Sequence, residues 1–217
     1  MRLCSVENCN SKHFANGYCQ KHHDQIRHHG KIRKRSMQDP NEIIVEGQIC
    51  RMKIYNMDCE EIAETIFDLK YKEDIEKFKW HLCYDYVESV WYENGVSRTM
   101  MLHQAIFHLS GQNLEIYEEI DHKDRNKLNN LETNLRRATR TQNCQNKQIT
   151  NTNTSGYKGV HYDKQNKKWR AQIYHNGQYI YLGYFNIKED AARAYNIAAA
   201  KYHGEFAVIN KILETNE

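Results

Sequence analysis

The sequence predicts an α+β protein in three consecutive segments, and three observations carry that reading. The start is rich in cysteine and histidine and too short to bury a core of its own, so only a metal can staple it. A polar stretch from Ile120 to Asn143 reads as strand, loop, strand and helix. Three strand patterns near the carboxy terminus are followed by an alanine-rich helix. The expected segments are 1–35, a metal-stapled head; 36–150, a domain built around the central stretch; and 151–217, a three-stranded antiparallel sheet packed on one helix.

Among the 217 residues the net charge is only +3, so the bulk balance says little about partners. The distribution says more. Acidic residues concentrate between Asp58 and Glu119, while Lys and Arg cluster at 27–35, 123–147 and 158–170. Basic segments flanking an acidic middle suit a chain that meets nucleic acid at several points. The seven cysteines are an odd number, and three lie within the first nineteen residues, which argues against a disulfide framework. No charged-then-apolar leader and no apolar run of membrane-spanning length is found, so an intracellular, reduced protein without a membrane partner is expected.

In the head, Cys4, Cys9, Cys19 and His22 follow the spacing C-x4-C-x9-C-x2-H, with Gly17 turning the chain into the second pair. Three thiolates and one imidazole match a closed tetrahedral structural Zn2+ site. His23 and His13 are alternative ligands. The basic run from Arg27 to Arg35 follows, free to lie along a phosphate backbone or in solvent.

The middle of the chain opens with a β-hairpin from Glu42 to Tyr55, turned at Gly47. A short helix is expected from Lys72 to Phe78, then strands from Trp80 to Tyr92 and from Val96 to Met100 around the turn Asn94-Gly95. A helix from Thr99 to Leu109 carries His103, which the residue pattern makes a packing residue before a catalytic one. Trp80 and Trp91 are expected in the core.

The central stretch holds the chemistry. Leu114 to His122 alternates apolar and polar residues, a strand that delivers Asp121 and His122 at its end. Lys123 to Thr133 is a loop, Leu135 to Ala138 a second strand, and Thr139 the N-cap of a helix starting at Arg140 that brings Asn143 back toward the strand ends. A carboxylate, an imidazole and amides among basic residues are the materials for holding a hard metal ion against a phosphodiester.

The last segment places strands at Ser155–Asp163, Lys168–Gly177 and Gln178–Phe185, with Asn176-Gly177 turning the second into the third. Asn186 and Glu189 suggest a capping box for a helix from Ile187 to about Tyr202, ended by Gly204. Its alanines, Ala191, Ala192, Ala194, Ala198, Ala199 and Ala200, allow close approach to the sheet. Strand parity sends Ala171, Ile173, Ile180 and Leu182 toward the helix and leaves Arg170, Gln172, Tyr174, Tyr179 and Tyr181 on an open face.

Two resemblances attach to these motifs. Asp121-His122, Asn129-Asn130, Asn134-Leu135-Arg136 and Gln142-Asn143 resemble the ββα-metal centre of HNH homing endonucleases of phages and mobile elements, and Leu102-His103-Gln104-Ala105 is similar to the element preceding it. That resemblance implies that Asp121 and Asn143 ligate one metal through oxygen, that His122 is the general base, and that Asn134 braces the loop and orients the histidine. Asn143 stands where many members carry histidine. Two oxygen ligands leave an octahedral shell open, which favours Mg2+ or Mn2+ over zinc. The cysteine-rich start is similar to heads that precede some phage HNH proteins.

The second resemblance covers 155–210. Tyr157-Lys158-Gly159-Val160, Lys168-Trp169-Arg170-Ala171-Gln172-Ile173 and Tyr181-Leu182-Gly183-Tyr184-Phe185 are similar to the plant APETALA-two/ethylene-responsive-factor DNA-binding domain. It implies DNA contacts from Lys158, His161, Arg170, Gln172, Tyr174 and Tyr181, while Arg136, Arg137 and Arg140 supply backbone contacts from the nuclease half. The implied function is a site-specific endonuclease on double-stranded DNA, with no obligate protein partner. The rival is a non-cleaving, sequence-specific DNA-binding regulator.

Overall fold

A computed structural model of the chain describes every residue except 1, 8, 34, 37, 150, 151 and 213–217. Lys34 of the basic run and the expected boundary at 150/151 therefore lie outside the described residues. The described chain is mixed α+β.

In the head, two isolated bridges, Leu3 with Lys12 and Ala15 with Tyr18, lead Cys19 into helix α1 (Gln20–His29). Strands β1 (Ile43–Glu46), β2 (Ile49–Tyr55) and β3 (Glu61–Asp68) then form an antiparallel sheet in that order. The hairpin at Gly47 matches the sequence reading; β3 adds a strand that reading left unassigned. A one-turn helix α2 (Lys72–Ile75) leads to a second sheet of β4 (Trp80–Cys83), β5 (Tyr86–Glu93) and β6 (Val96–Met101). The expected strand from Trp80 to Tyr92 is in fact two, because Tyr84 adopts a left-handed backbone (φ 54) and folds Cys83 back onto Tyr86.

Helix α3 (Leu102–Leu109) starts later than expected, since Thr99 to Met101 remain paired with β5. Strand β7 (Glu118–His122) is also shorter than the alternation suggested: Tyr117 turns at φ 78, and Ile116 and Tyr117 are exposed. It pairs with β8 (Leu135–Thr139), after which comes α4 (Arg140–Asn146). Phe67, Trp80, Val87, Leu102, Ile106 and Leu135 are buried in one core that joins β3, the second sheet, α3 and β8. Each such side chain contributes roughly 1.5–3 kcal/mol of burial, so the β7–β8 hairpin, which supplies Leu135 and Ile120, is held against a framework built mainly by the other elements. Trp91 is half-buried, its ring 5.3 Å from that of Phe78.

The last unit is the expected three-stranded sheet of β9 (Val160–Asp163), β10 (Lys168–His175) and β11 (Gln178–Phe185), covered by α5 (Lys188–His203), with the first strand starting at Val160 rather than Ser155. Ala171 and Ile173 are buried beneath α5, whose Ala191, Ala192, Ala198 and Ala199 make the close contact, whereas Ala200 faces out. Gly159 is needed here for two reasons: its φ is +74, and a Cβ would lie 2.0 Å from the Tyr195 ring. The expected capping box is not formed, because the helix begins one residue later, with Ile187 at the N-cap and no side-chain cap.

Candidate nuclease centre and DNA-facing surface

The β7–β8 ladder sets Asp121 opposite Arg136 and His122 opposite Leu135 at the end of the hairpin. Thr139 caps α4 as expected: its hydroxyl accepts from the Gln142 amide at 3.3 Å and the Gln142 side chain accepts from the Thr139 amide at 2.8 Å. This fixes where α4 leaves the hairpin, and so which of its residues face the strand ends. Asn146, one turn beyond Asn143, is the one that reaches Asp121. Its Nδ2 donates at 2.9 Å to Asp121 Oδ1, to Asp121 Oδ2 and to the His122 carbonyl.

Three oxygens thus converge on one amide nitrogen. Such a point already holds partial positive charge, and an all-oxygen set of this kind is what a hard divalent ion takes. Asn143 instead donates to Glu119 Oε2 at 2.6 Å. Asn143 and Asn146 share a face of α4 and line the same cavity as Asp121, and of the two it is Asn146 whose amide meets the Asp121 carboxylate.

Asp121 and His122 are both buried. They border a cavity of about 400 Å³ that is also lined by Tyr86, Arg125, Lys127, Asn143, Asn146 and Lys147. The basic walls suit a phosphate. Burial pushes the His122 imidazole below its ordinary value, against the opposing effects of the Asn130 hydrogen bond and of Asp124 and Asp121, so the ring is neutral at physiological pH. His103 packs 5.2 Å from it, ring to ring, and burial pushes His103 down to about 3.

Asn134 braces the loop: Nδ2 donates to Asp124 Oδ1 at 2.9 Å and to the Asn129 carbonyl at 2.8 Å, and Oδ1 accepts from the Asp124 amide at 3.1 Å. The side chain that touches the histidine is Asn130, whose Oδ1 lies 3.2 Å from His122 Nε2.

Of the basic residues expected on DNA, Arg137 and Arg140 are exposed. Arg136 is not available in the same way. Its Nε and Nη2 donate to Asp121 Oδ2 at 2.9 and 2.7 Å, its Nη1 donates to the Glu205 carbonyl at 2.8 Å, and its guanidinium lies 3.7 Å from the centre of the Phe206 ring. Lys158 is likewise turned inward. Its Nζ donates to the carbonyls of Gln145 and Lys147 at the end of α4, and burial lowers it to about 8. These two residues join the carboxy-terminal unit to the hairpin–helix unit.

The open face of the sheet has the expected parity. Tyr174, Tyr179 and Tyr181 are exposed, Gln172 and His161 are half-exposed, and the Arg170 guanidinium lies 5.5 Å from the centre of the Tyr181 ring. Gln172, Tyr174 and Tyr179 share a groove of about 410 Å³ with Arg140 of α4, so side chains from both halves line one surface.

In the head, the four ligand atoms of Cys4, Cys9, Cys19 and His22 all lie within 4.8 Å of one another. The Cys9–Cys19 sulfur separation is 3.9 Å, close to the ~3.8 Å edge of a tetrahedron with metal–sulfur bonds of ~2.3 Å. His22 Nδ1 sits 3.2 Å from Cys4 Sγ and 3.4 Å from Cys19 Sγ. The alternatives are engaged elsewhere: His13 Nε2 accepts from the Gly17 amide, and His23 packs on Phe14 beside Asp24.

Over 141 residues the chain is 37% identical to the uncharacterized HNH endonuclease L560 of Acanthamoeba polyphaga mimivirus, a match covering 64% of this chain and 70% of the viral protein. The chain belongs to the HNH endonuclease family. Residues 155–205 match the AP2 domain. The chain is also 46% identical over 57 residues to the AP2/ERF and B3 domain-containing transcription repressor TEM1 of Arabidopsis thaliana, and 44% identical over 57 residues to the AP2/ERF and B3 domain-containing transcription factor RAV1 of that plant. Each plant match spans 26% of this chain and 16% of the plant protein. The likeness to the plant factors is therefore one of a single DNA-binding domain.

In this HNH-family chain the contacts that sequence reasoning missed are those of Asn146 with Asp121, of Asn130 with His122, and of Thr65 on β3, whose hydroxyl oxygen accepts from Asn130 Nδ2 at 2.8 Å. Asn146 had a signal, its i, i+3 spacing from Asn143. Asn130 belongs to the Asn-Asn pair noted in the motif, but no spacing says which of two adjacent amides points inward. Thr65 lies on a distant strand and had none. Among the described residues, no helix is long and apolar enough to cross a membrane.

Proposed function

We propose that this HNH-family protein is a site-specific, homing-type endonuclease acting on double-stranded DNA. In this reading residues 1–35 form a zinc head, 36–150 the nuclease and 151–217 the DNA-binding unit. The observation that carries it is the convergence of Asp121, the His122 carbonyl and Asn146 beside a basic-walled cavity that His122 also borders.

Asp121 and Asn146, rather than Asn143, are the residues that would hold Mg2+ or Mn2+, Asn146 by turning its amide so that Oδ1 takes the place of the Nδ2 that faces Asp121. When bound, such an ion supplies Lewis-acid stabilisation of charge on the phosphate and the departing 3′ oxygen. His122, kept neutral by burial, takes the proton of the attacking water. Arg125 and Lys127 hold the phosphate in place. Arg137 and Arg140 contact the backbone, while His161, Arg170, Gln172, Tyr174 and Tyr181 face the groove of the duplex. Zn2+ on Cys4, Cys9, Cys19 and His22 holds the head together.

The test is cleavage of duplex DNA with and without added Mg2+, compared between the wild type and His122→Ala. The variant is expected to lose about 10²-fold or more in rate while binding DNA as before. Wild-type cutting by the variant removes His122 from this role. A wild-type protein that binds one sequence tightly and never cuts it supports the regulator reading instead.

A further inference from the structure

Asn130 is fully buried, and its amide has one possible orientation. Nδ2 faces Thr65 Oγ1 at 2.8 Å and the Lys127 carbonyl at 3.3 Å, and Oδ1 faces His122 Nε2 at 3.2 Å. A carbonyl only accepts, so the amide nitrogen must lie toward Lys127 and the amide oxygen toward the histidine. Thr65, also fully buried, donates its single hydroxyl proton to the Leu128 carbonyl at 2.8 Å, leaving its oxygen to accept from Asn130. Every proton in the chain therefore runs one way. Because Asn130 Oδ1 can only accept, His122 carries its proton on Nε2, and the free lone pair is on Nδ1.

Thr65 lies on β3, far from the hairpin in sequence, and β3 grips the catalytic loop by its backbone as well. The Ile66 amide donates to the Leu128 carbonyl at 3.0 Å, and the Asn130 amide donates to the Ile66 carbonyl at 2.9 Å. We propose that Thr65 is a positioning residue for the nuclease centre: acting through Asn130, it fixes the His122 tautomer that presents Nδ1 to water. This rests on the assignment of His122 as general base. Without the hydroxyl, Nδ2 loses its 2.8 Å partner, and only the longer 3.3 Å contact to the Lys127 carbonyl is left to oppose a turn of the amide. It can then turn its NH2 toward Nε2, and the proton moves to Nδ1, where it blocks the base.

The experiment combines imidazole 15N spectra of the full chain, with the His122 signals assigned against His122→Gln, and cleavage kinetics. The wild type is expected to show His122 as the Nε2–H tautomer. Thr65→Val, nearly the same shape, should show a growing Nδ1–H population and a kcat lowered by about 10-fold or more with KM for DNA unchanged; Thr65→Ser should restore both. A wild-type spectrum with the proton on Nδ1 overturns the proposal whether or not any variant folds. Wild-type kcat and tautomer in Thr65→Val, while His122→Ala is inactive, overturn this proposal and leave the general base standing. Wild-type cleavage by His122→Ala removes the parent assignment.

Discussion

Replacing His103 by phenylalanine keeps an aromatic ring between Tyr86 and His122 and removes a buried titratable group. The His103 ring lies 5.3 Å from that of Tyr86 and is held down to about 3, chiefly by burial and then by the neighbouring His122. The sign follows from linkage. The folded-state value lies below the unfolded value of ~6.5, so the unfolded chain takes up this proton first as pH falls. Stability is lost from about pH 6.5 downward and the loss continues to about pH 3.

At about pH 5 the unfolded imidazole is almost wholly protonated and the folded one almost wholly neutral. The linked loss is then RT ln(1 + 10^1.5), about 2 kcal/mol, and it is insensitive to the folded value so long as that stays below about 4. Urea unfolding of wild type and His103→Phe at roughly pH 7 and pH 5 reads it directly. Other titrating groups contribute to both proteins and cancel in the difference. The wild type should lose about 2 kcal/mol more than the variant. Equal losses would refute the picture of a neutral, buried His103, and a variant that folds but no longer cleaves would give the ring a part in the chemistry.

Asn146→Ala should raise the Mg2+ concentration for half-maximal cleavage by about 10-fold or more, whereas Asn143→Ala should leave it nearly unchanged; a metal titration separates them, and the reverse order returns the ligand role to Asn143. Metal analysis of protein purified without added zinc should find near one equivalent, lost on Cys4→Ser with Cys19→Ser, and a folded head without zinc would dismiss that site. Gln172→Ala should cost about 1–3 kcal/mol on the cognate duplex and less on a scrambled one, measured at two salt concentrations; equal losses on both would make it a backbone contact.

What was legible in the sequence was local. Thr139 and Gln142 announce a helix start, and the hairpin of β10 and β11 announces its own turn at Asn176-Gly177, because those signals act over a few residues. What was not legible depended on partners distant in the chain. Arg136 and Lys158 have the composition of DNA contacts, and only the docking of Glu205 and of the end of α4 turns them inward. The alternation from Leu114 to Tyr117 looks like strand but has no neighbour to pair with, so Ile116 and Tyr117 stay in solvent. Thr65 is one of four polar residues on β3, with Glu61, Glu64 and Asp68, and what sets it apart appears only when the loop at 128–130 folds onto it.

The contacts of Lys158 and Arg136 bear on where a cut falls. A binding unit on a loose tether would let the nuclease sample a spread of phosphodiesters around the bound sequence, with the spread set by the length of the tether. Here Lys158 closes the end of α4, and Arg136 joins the carboxylate of Asp121 to the backbone at Glu205. Under the proposed division of labour, the spacing between recognised bases and broken bond is a dimension of the packed interface. Evolution can then retarget the enzyme by changing Gln172, Tyr174 or Tyr181 on the open face while the incision keeps its offset.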